Sequence, residues 1–179
     1  MLIVGLGNPG LEYHNTRHNA GFKAVDLISD RLNFSLSNSD KFKCTISSGI
    51  YKGKKLIIIK PNTYMNLSGE SVQLVKSYYN ISPDDIFVFH DEIDLPISSV
   101  KMKTGGSNAG HNGLKSIDKH IGLNYHRIRI GVGRPENGQD VASYVLGKFS
   151  SEEKRHIDKI TETLFEKFDD ILSKQFKNI

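Results

Sequence analysis

Cysteine is almost absent from this 179-residue chain. Its one thiol, Cys44, has no partner for an intrachain disulfide, which fits a reducing compartment. Cys44 lies in an alternating strand pattern, so it reads as a packed core residue and not as a nucleophile. Long apolar runs are missing as well. No stretch approaches the length of a membrane span, and the N-terminus enters a strand with no basic leader. A cytoplasmic protein is therefore expected. No internal repeat or low-complexity tract interrupts the chain, which predicts one domain over 1–179, long enough to bury its own core. Hydrophobic residues at 37% and charged residues at 25% exclude a disordered chain.

Negative charge is scarce in one region. From Leu95 to Pro135, Lys101, Lys103, Lys115, Lys119, Arg127, Arg129 and Arg134 face Asp118 alone, a local net of +6 in a chain of net +4. From Lys148 to Ile179 seven basic and seven acidic residues cancel. One basic stretch on a near-neutral background suits a polyanionic partner, the plain alternative being chance clustering on a solvated surface.

What is present reads as strands alternating with helices. Residues 2–6 give a first strand, and Phe22, Val25, Ile28 and Leu32 mark one face of a helix over about 19–32. Residues 43–50 alternate as a half-exposed strand and turn at Lys52-Gly53 into the β-branched run Leu56–Ile59, a hairpin that makes the sheet mixed. Ser68 is expected to cap a helix carrying Val72, Val75 and Tyr79. A buried strand Ile86–Phe89 ends at His90-Asp91-Glu92. A short strand near 100–103 leads into the loop Thr104–Gly113 and a helix to about His120. Residues 127–132 alternate as a strand with both arginines on one face. Asp140 to Leu146 forms a short helical piece. Ser150 with Glu153 makes a capping box for a last helix, striped by Ile157, Ile160, Leu164, Phe168, Ile171 and Leu172. The expectation is an α/β fold: a single three-layer domain, a mixed twisted sheet with helices on both faces, and a C-terminal amphipathic helix.

Gly5-Leu-Gly-Asn-Pro-Gly10 satisfies G-x-G-x-x-G after a strand, but the helical period begins only near Phe22. The acidic residue of a dinucleotide site is also missing, because Asp26 and Asp30 fall inside the predicted helix. The glycines are read as a tight turn presenting Asn8. His14 and His18 stand at a metal-ligand spacing, with Asp91 and His111 as ligands that folding could add, yet no supporting metal motif accompanies them.

Three polar segments follow strands: Asn8, Tyr64-Met65-Asn66, and Asp91. Loops at the carboxyl ends of parallel strands share one crevice, and Asn112 can reach it from the glycine loop. That set lacks a serine or cysteine nucleophile and fits hydrolysis by an activated water. His18 takes the proton, Asp91 fixes its tautomer, and amide N–H groups receive the developing oxyanion.

These residues resemble those of bacterial-type peptidyl-tRNA hydrolases. The matching pieces are GLGNPGLEYHNTRHNAGF (5–22), KPNTYMNLSGESV (60–72), FVFHDEIDLP (87–96), GGSNAGHNGLKSI (105–117), HRIRIGVGRP (126–135) and DVASYVLGKF (140–149). They stand in the family's order and span all but the final helix. The resemblance implies cleavage of the ester between a peptide and the 3′ ribose of tRNA, by a monomeric cytoplasmic enzyme with no metal or cofactor. It implies His18 as general base with Asp91 as its partner, and Asn8 as the sensor of a blocked α-amino group. Tyr13, Tyr64, Asn66 and Asn112 would line the site, with Met65 and His111 as neighbours. Lys103 and Arg129 would meet tRNA phosphates, and 137–149 would form a lid. One departure is Ala109 with the preceding Ser107-Asn108, where many members have glycine in place of the alanine. Two other readings remain open: a non-catalytic RNA-binding α/β domain and a nucleotide-dependent enzyme.

Overall fold

The computed structural model describes residues 1–135 and 138–179. Seven strands form one sheet: β1 (Leu2–Gly5), β2 (Ser37–Ser39), β3 (Cys44–Tyr51), β4 (Lys54–Pro61), β5 (Ile86–Glu92), β6 (Val100–Thr104) and β7 (His126–Gly131). Their order is β2-β3-β4-β1-β5-β7-β6. The central β4, β1, β5 and β7 run parallel, while β2, β3 and β6 pair antiparallel at the two sides. The sheet is mixed, as the hairpin implied.

Six helices complete the described fold: α1 (Ala20–Arg31), α2 (Ser68–Tyr78), α3 (Asn112–Ile121), α4 (Val141–Val145), α5 (Ser151–Glu166) and α6 (Phe168–Leu172). Alternate residues of the central strands feed two separate cores. Ile3, Ile58, Phe87, Phe89 and Ile128 pack with α1, α5 and α6, whereas Leu2, Val4, Ile59 and Val88 pack with α2 and α3. Both faces of β1, β4 and β5 are covered, which is why those strands are continuously apolar. The three-layer α/β arrangement agrees with the expectation.

Several local readings need correction. Ser68 is not a cap: it is the first residue of α2, and its hydroxyl donates to the Met65 carbonyl at 2.9 Å. The final apolar stripe is carried by two helices, broken at Lys167. The capping box of Ser150 and Glu153 at the start of α5 is present as expected. Strand β2 was not foreseen, since Ser37–Ser39 is wholly polar. Nor was the pairing of the chain's last residues with β6, where Val100 and Ile179 exchange backbone hydrogen bonds and Met102 donates to Lys177.

One close approach positions the site. A Cβ on Gly21 would lie 2.2 Å from the Phe89 carbonyl oxygen. Only glycine lets α1 begin against the ends of β1 and β5, which sets the turn Arg17–Asn19 beside Asp91.

Candidate active site

The carboxyl ends of β1, β4 and β5 open into a cavity of about 610 Å³. At its floor His18 Nδ1 donates to Asp91 Oδ1 at 2.9 Å, and His111 Nε2 donates to the same oxygen at 2.9 Å. The tautomer of His111 follows from its other nitrogen. Nδ1 accepts the backbone N–H groups of Gly113 (3.1 Å) and Leu114 (3.4 Å), an imidazole capping the start of α3, so the donor proton lies on Nε2. Asp91 therefore acts as acceptor for two imidazoles, and His18 keeps Nε2 free of any partner among the described residues.

The electrostatics follow from this geometry. Burial alone would raise the Asp91 carboxyl, but the two imidazoles reverse that and hold it well below the ordinary carboxylate value. Burial pushes the His18 imidazolium down, yet attraction and hydrogen bonding to Asp91 outweigh it, and His18 is shifted upward overall. Behind them His90 is fully buried, and burial together with His111 lowers it to about 3. Its Nδ1 donates to the Asp91 carbonyl at 2.7 Å, and its ring meets His111 edge-on.

His18, Asp91 and His111 also form a candidate metal set, their ligand atoms lying within 4.8 Å of one another. Both imidazole nitrogens that face the centre are N–H donors to Asp91 here, so an ion would have to displace two protons. His14 and His18, which stand at a metal-ligand spacing in the sequence, occupy successive turns, and His14 is exposed.

Asn8 is held on three sides. Its Oδ1 accepts the Met65 N–H at 2.8 Å, which leaves its NH₂ as the group without a partner among the described residues. Its main chain is clamped by Asn19, whose Oδ1 accepts the Asn8 N–H (2.9 Å) and whose Nδ2 donates to the Asn8 carbonyl (3.0 Å). One short turn thus carries both His18 and the brace for Asn8.

Comparison with known proteins identifies the family. The family model described as peptidyl-tRNA hydrolase matches residues 2–179. The chain belongs to that family. A curated peptidyl-tRNA hydrolase of Rickettsia bellii (strain RML369-C) is 60% identical over 166 residues, covering 90% of each chain. One of Rickettsia africae is 55% identical, covering 99% of this chain and 98% of its relative. The crystal structure of peptidyl-tRNA hydrolase from Acinetobacter baumannii superposes with a TM-score of 0.92 at 42% identity, covering 97% of this chain and 89% of the other. A 5′-methylthioadenosine nucleosidase of Arabidopsis thaliana, at 7% identity and TM-score 0.54, shares the fold alone.

The residues that the family resemblance singled out divide into three groups. Asn8, His18, Tyr64, Met65, Asn66, Asp91, His111 and Asn112 line the one cavity. Asn66 and Asn112 are exposed to it, and Tyr64 stands at its rim, 62% exposed. Tyr13 lies outside it, in the turn Leu11–Tyr13, where its carbonyl accepts Thr16. Lys103 and Arg129 are set back on β6 and β7.

The basic stretch needs a correction too. Arg127 is buried: it pairs with Asp118 at 2.8 Å and donates to the Ser107 carbonyl at 2.8 Å. It braces the glycine loop and presents no charge to a partner. Arg129 is paired with Glu92 at 2.9 Å and Arg134 with Asp94, both carboxylates lying just before the counted stretch. Lys101, Lys103, Lys115 and Lys119 remain exposed. The same loop absorbs the departure at Ala109, which takes φ +49° where glycine would be unstrained, at a cost of about 1 kcal/mol. Asn108 offsets this by accepting from Gly110 and donating to Asp118.

The expected lid begins at Asn137, which lies outside the described residues. Its described part carries α4, whose Val141, Ala142 and Val145 roof the cavity. The root of this roof is tied to the turn that carries His18, since Arg17 N donates to Gly147 O and its guanidinium chelates Glu153, at 2.8 and 2.9 Å from Nη2. Glu153 is also the capping-box carboxylate of α5.

Asn19 was not singled out in the sequence, because a carboxamide beside a glycine-rich turn looks like any turn residue. Asn19→Ala leaves two buried main-chain groups of Asn8 unpaired. It is expected to lower stability by about 2 kcal/mol or more, read as a shifted urea midpoint with unchanged m. An unshifted midpoint would remove the clamp from this account.

Proposed function

We propose that this chain hydrolyses the ester between a peptide and the 3′ ribose of tRNA with a water activated by His18, as a monomeric cytoplasmic enzyme using neither metal nor cofactor. The observation that carries the reading is the His18–Asp91 pair at 2.9 Å, with Nε2 unpaired among the described residues in a cavity that Asn8 also lines. Asp91 holds the proton on Nδ1, so Nε2 is the basic nitrogen, and the carboxylate stabilises the imidazolium formed when water gives up its proton. Asn66 and Asn112 supply N–H donors for the oxygen that becomes negative in the tetrahedral intermediate.

Asn8 gives the reaction its selectivity. With Oδ1 committed to Met65, it offers the cavity a donor and no acceptor. A donor pairs with the carbonyl of an acylated α-amino group but has nothing to accept from a free ammonium, itself only a donor, so an N-blocked substrate is favoured over simple aminoacyl-tRNA. Every group in this scheme comes from one chain, and among the described residues no helix is long and apolar enough to cross a membrane.

Release of N-acetyl-amino acid from N-acetyl-aminoacyl-tRNA in the presence of a chelator tests the activity. Absence of release above background would refute it, and tRNA binding without release would favour the RNA-binding domain instead. For the tRNA side, Lys103 on β6 is exposed and has no ion-pair partner among the described residues. Lys103→Ala should weaken tRNA binding uniformly and reduce the slope of log K against log salt by about 1. An unchanged slope would send the phosphates elsewhere.

A further inference from the structure

Arg17 stands immediately before His18, with its side chain only 13% exposed. In the turn Arg17–Asn19 successive side chains point about 120° apart. While His18 reaches Asp91, Arg17 therefore reaches the root of α4. We propose that Arg17 is a positioning residue for the hydrolysis, holding α4 in place as the roof that the substrate binds against. The inference rests on the hydrolase reading of the cavity and adds to it the side chain that couples the roof to the rest of the fold.

The guanidinium is engaged in three ways at once. Nε and Nη2 bind the Glu153 carboxylate at 3.1, 2.8 and 2.9 Å, and Nη1 donates to the Tyr144 carbonyl at 3.3 Å. Its Cζ also lies over the Tyr144 ring, 4.3 Å from the centre. Glu153 is itself fixed, because Oε2 accepts the Ser150 N–H at 2.6 Å and α5 is seated in the core through Ile157, Ile160 and Leu164. Arg17 thus joins α4 to the start of a packed helix. A lysine has neither the fork nor the planar face to do the same. A Cβ on Gly147 would stand 3.0 Å from both Arg17 Nη1 and the Tyr144 carbonyl oxygen, so the seat of the guanidinium depends on a residue without a side chain.

The His18 turn and the roof have different anchors, which makes their roles separable. The turn is held by its main chain: Arg17 N–H donates to the Gly147 carbonyl, Phe149 N–H donates to the Asn15 carbonyl, both at 3.0 Å, and Thr16 bridges Lys148. His18 adds its own bond to Asp91. None of these needs the Arg17 side chain. Tyr144 is where α4 is fastened, by its hydroxyl on the Val132 carbonyl at 2.7 Å and by the guanidinium on its ring and carbonyl. Val141, Ala142 and Val145 of α4 present apolar surface to the cavity. Losing the fork loosens that surface and leaves the base in place. A contact made alike in the ground state and the transition state shows in KM and not in kcat.

Arg17→Met keeps the stem and removes the fork. On N-acetyl-aminoacyl-tRNA it should raise KM by about tenfold, the size of one lost apolar contact, with kcat within about twofold and the acid limb of the pH profile unmoved. Arg17→Lys should not restore KM. Glu153→Gln reaches the same ion pair from the other side, and the double variant should fall short of the product of the two single effects. The chain has no tryptophan, so Val141→Trp places a single indole in the roof. Quenching of that indole by acrylamide should rise when Arg17→Met is added. Should Arg17→Met not fold, Glu153→Gln carries the same expectations for KM and quenching. An unchanged KM, unchanged quenching, or a fall in kcat with a moved acid limb overturns the assignment, the last because Arg17 would then act through His18 and not through the roof. If the wild type cleaves no substrate, the hydrolase reading falls, and the quenching alone decides whether Arg17 holds the roof.

Discussion

His18→Ala is expected to lower kcat for N-acetyl-aminoacyl-tRNA by about 10²–10⁴-fold, with tRNA affinity nearly unchanged. The size follows from what is lost. Without Nε2 the attacking water has no base in the cavity, because Asp91 is covered by two imidazoles and His111 has both nitrogens engaged. Affinity should be spared because the exposed lysines proposed to meet tRNA phosphate, on β6 and α3, are not among the residues that line the cavity. Single-turnover release and filter binding separate the two quantities. A variant within about tenfold of wild type would remove His18 as the base. In the same background Asp91→Asn should add little, since the two residues act as one unit.

Asp91→Asn is the second large effect, and its signature is in the pH profile. The base must be unprotonated, so activity falls as pH drops through the His18 value, which Asp91 raises above that of an ordinary imidazole. Removing the carboxylate charge leaves burial as the dominant influence on His18, which acts downward. The acid limb of kcat/KM should therefore move to lower pH than in the wild type, while the plateau falls by about 10²-fold or more because the imidazolium formed during attack loses its counter-charge. A lowered plateau with an unmoved limb would assign Asp91 a merely structural role. A preserved plateau would end its place in the mechanism.

The parts of this fold legible in the sequence are those whose pattern reports burial directly. β1, β4 and β5 are apolar because both faces are covered, and Ser150 with Glu153 announces α5 through a reciprocal cap. β2 could not be seen, since Ser37–Ser39 pairs through its backbone at a sheet edge and needs no apolar side chain. The break at Lys167 left no trace because Phe168 and Ile171 keep the helical spacing across it. Of the site, the individual groups were legible and their relations were not. That His18 and His111 share one oxygen, or that Asn19 grips the main chain of Asn8, depends on distances between segments 11 to 73 residues apart. The basic stretch shows the opposite error. Formal charge counts Arg127 and Lys103 alike, whereas the fold buries one against Asp118 and leaves the other in solvent.

The pairing of residues 177–179 with β6 bears on how the molecule avoids sticking to itself. An outermost strand offers its unused N–H and C=O groups to any passing chain, and β6 is a short outermost strand paired on its inner side with β7. Here those groups at Val100 and Met102 are already taken by the molecule's own tail, and the charged Lys101 and Lys103 stand along the same strand. Sheet growth by edge addition is blocked twice over on that side, by occupancy and by like charge. The side that would meet tRNA is thereby kept from becoming a template for aggregation.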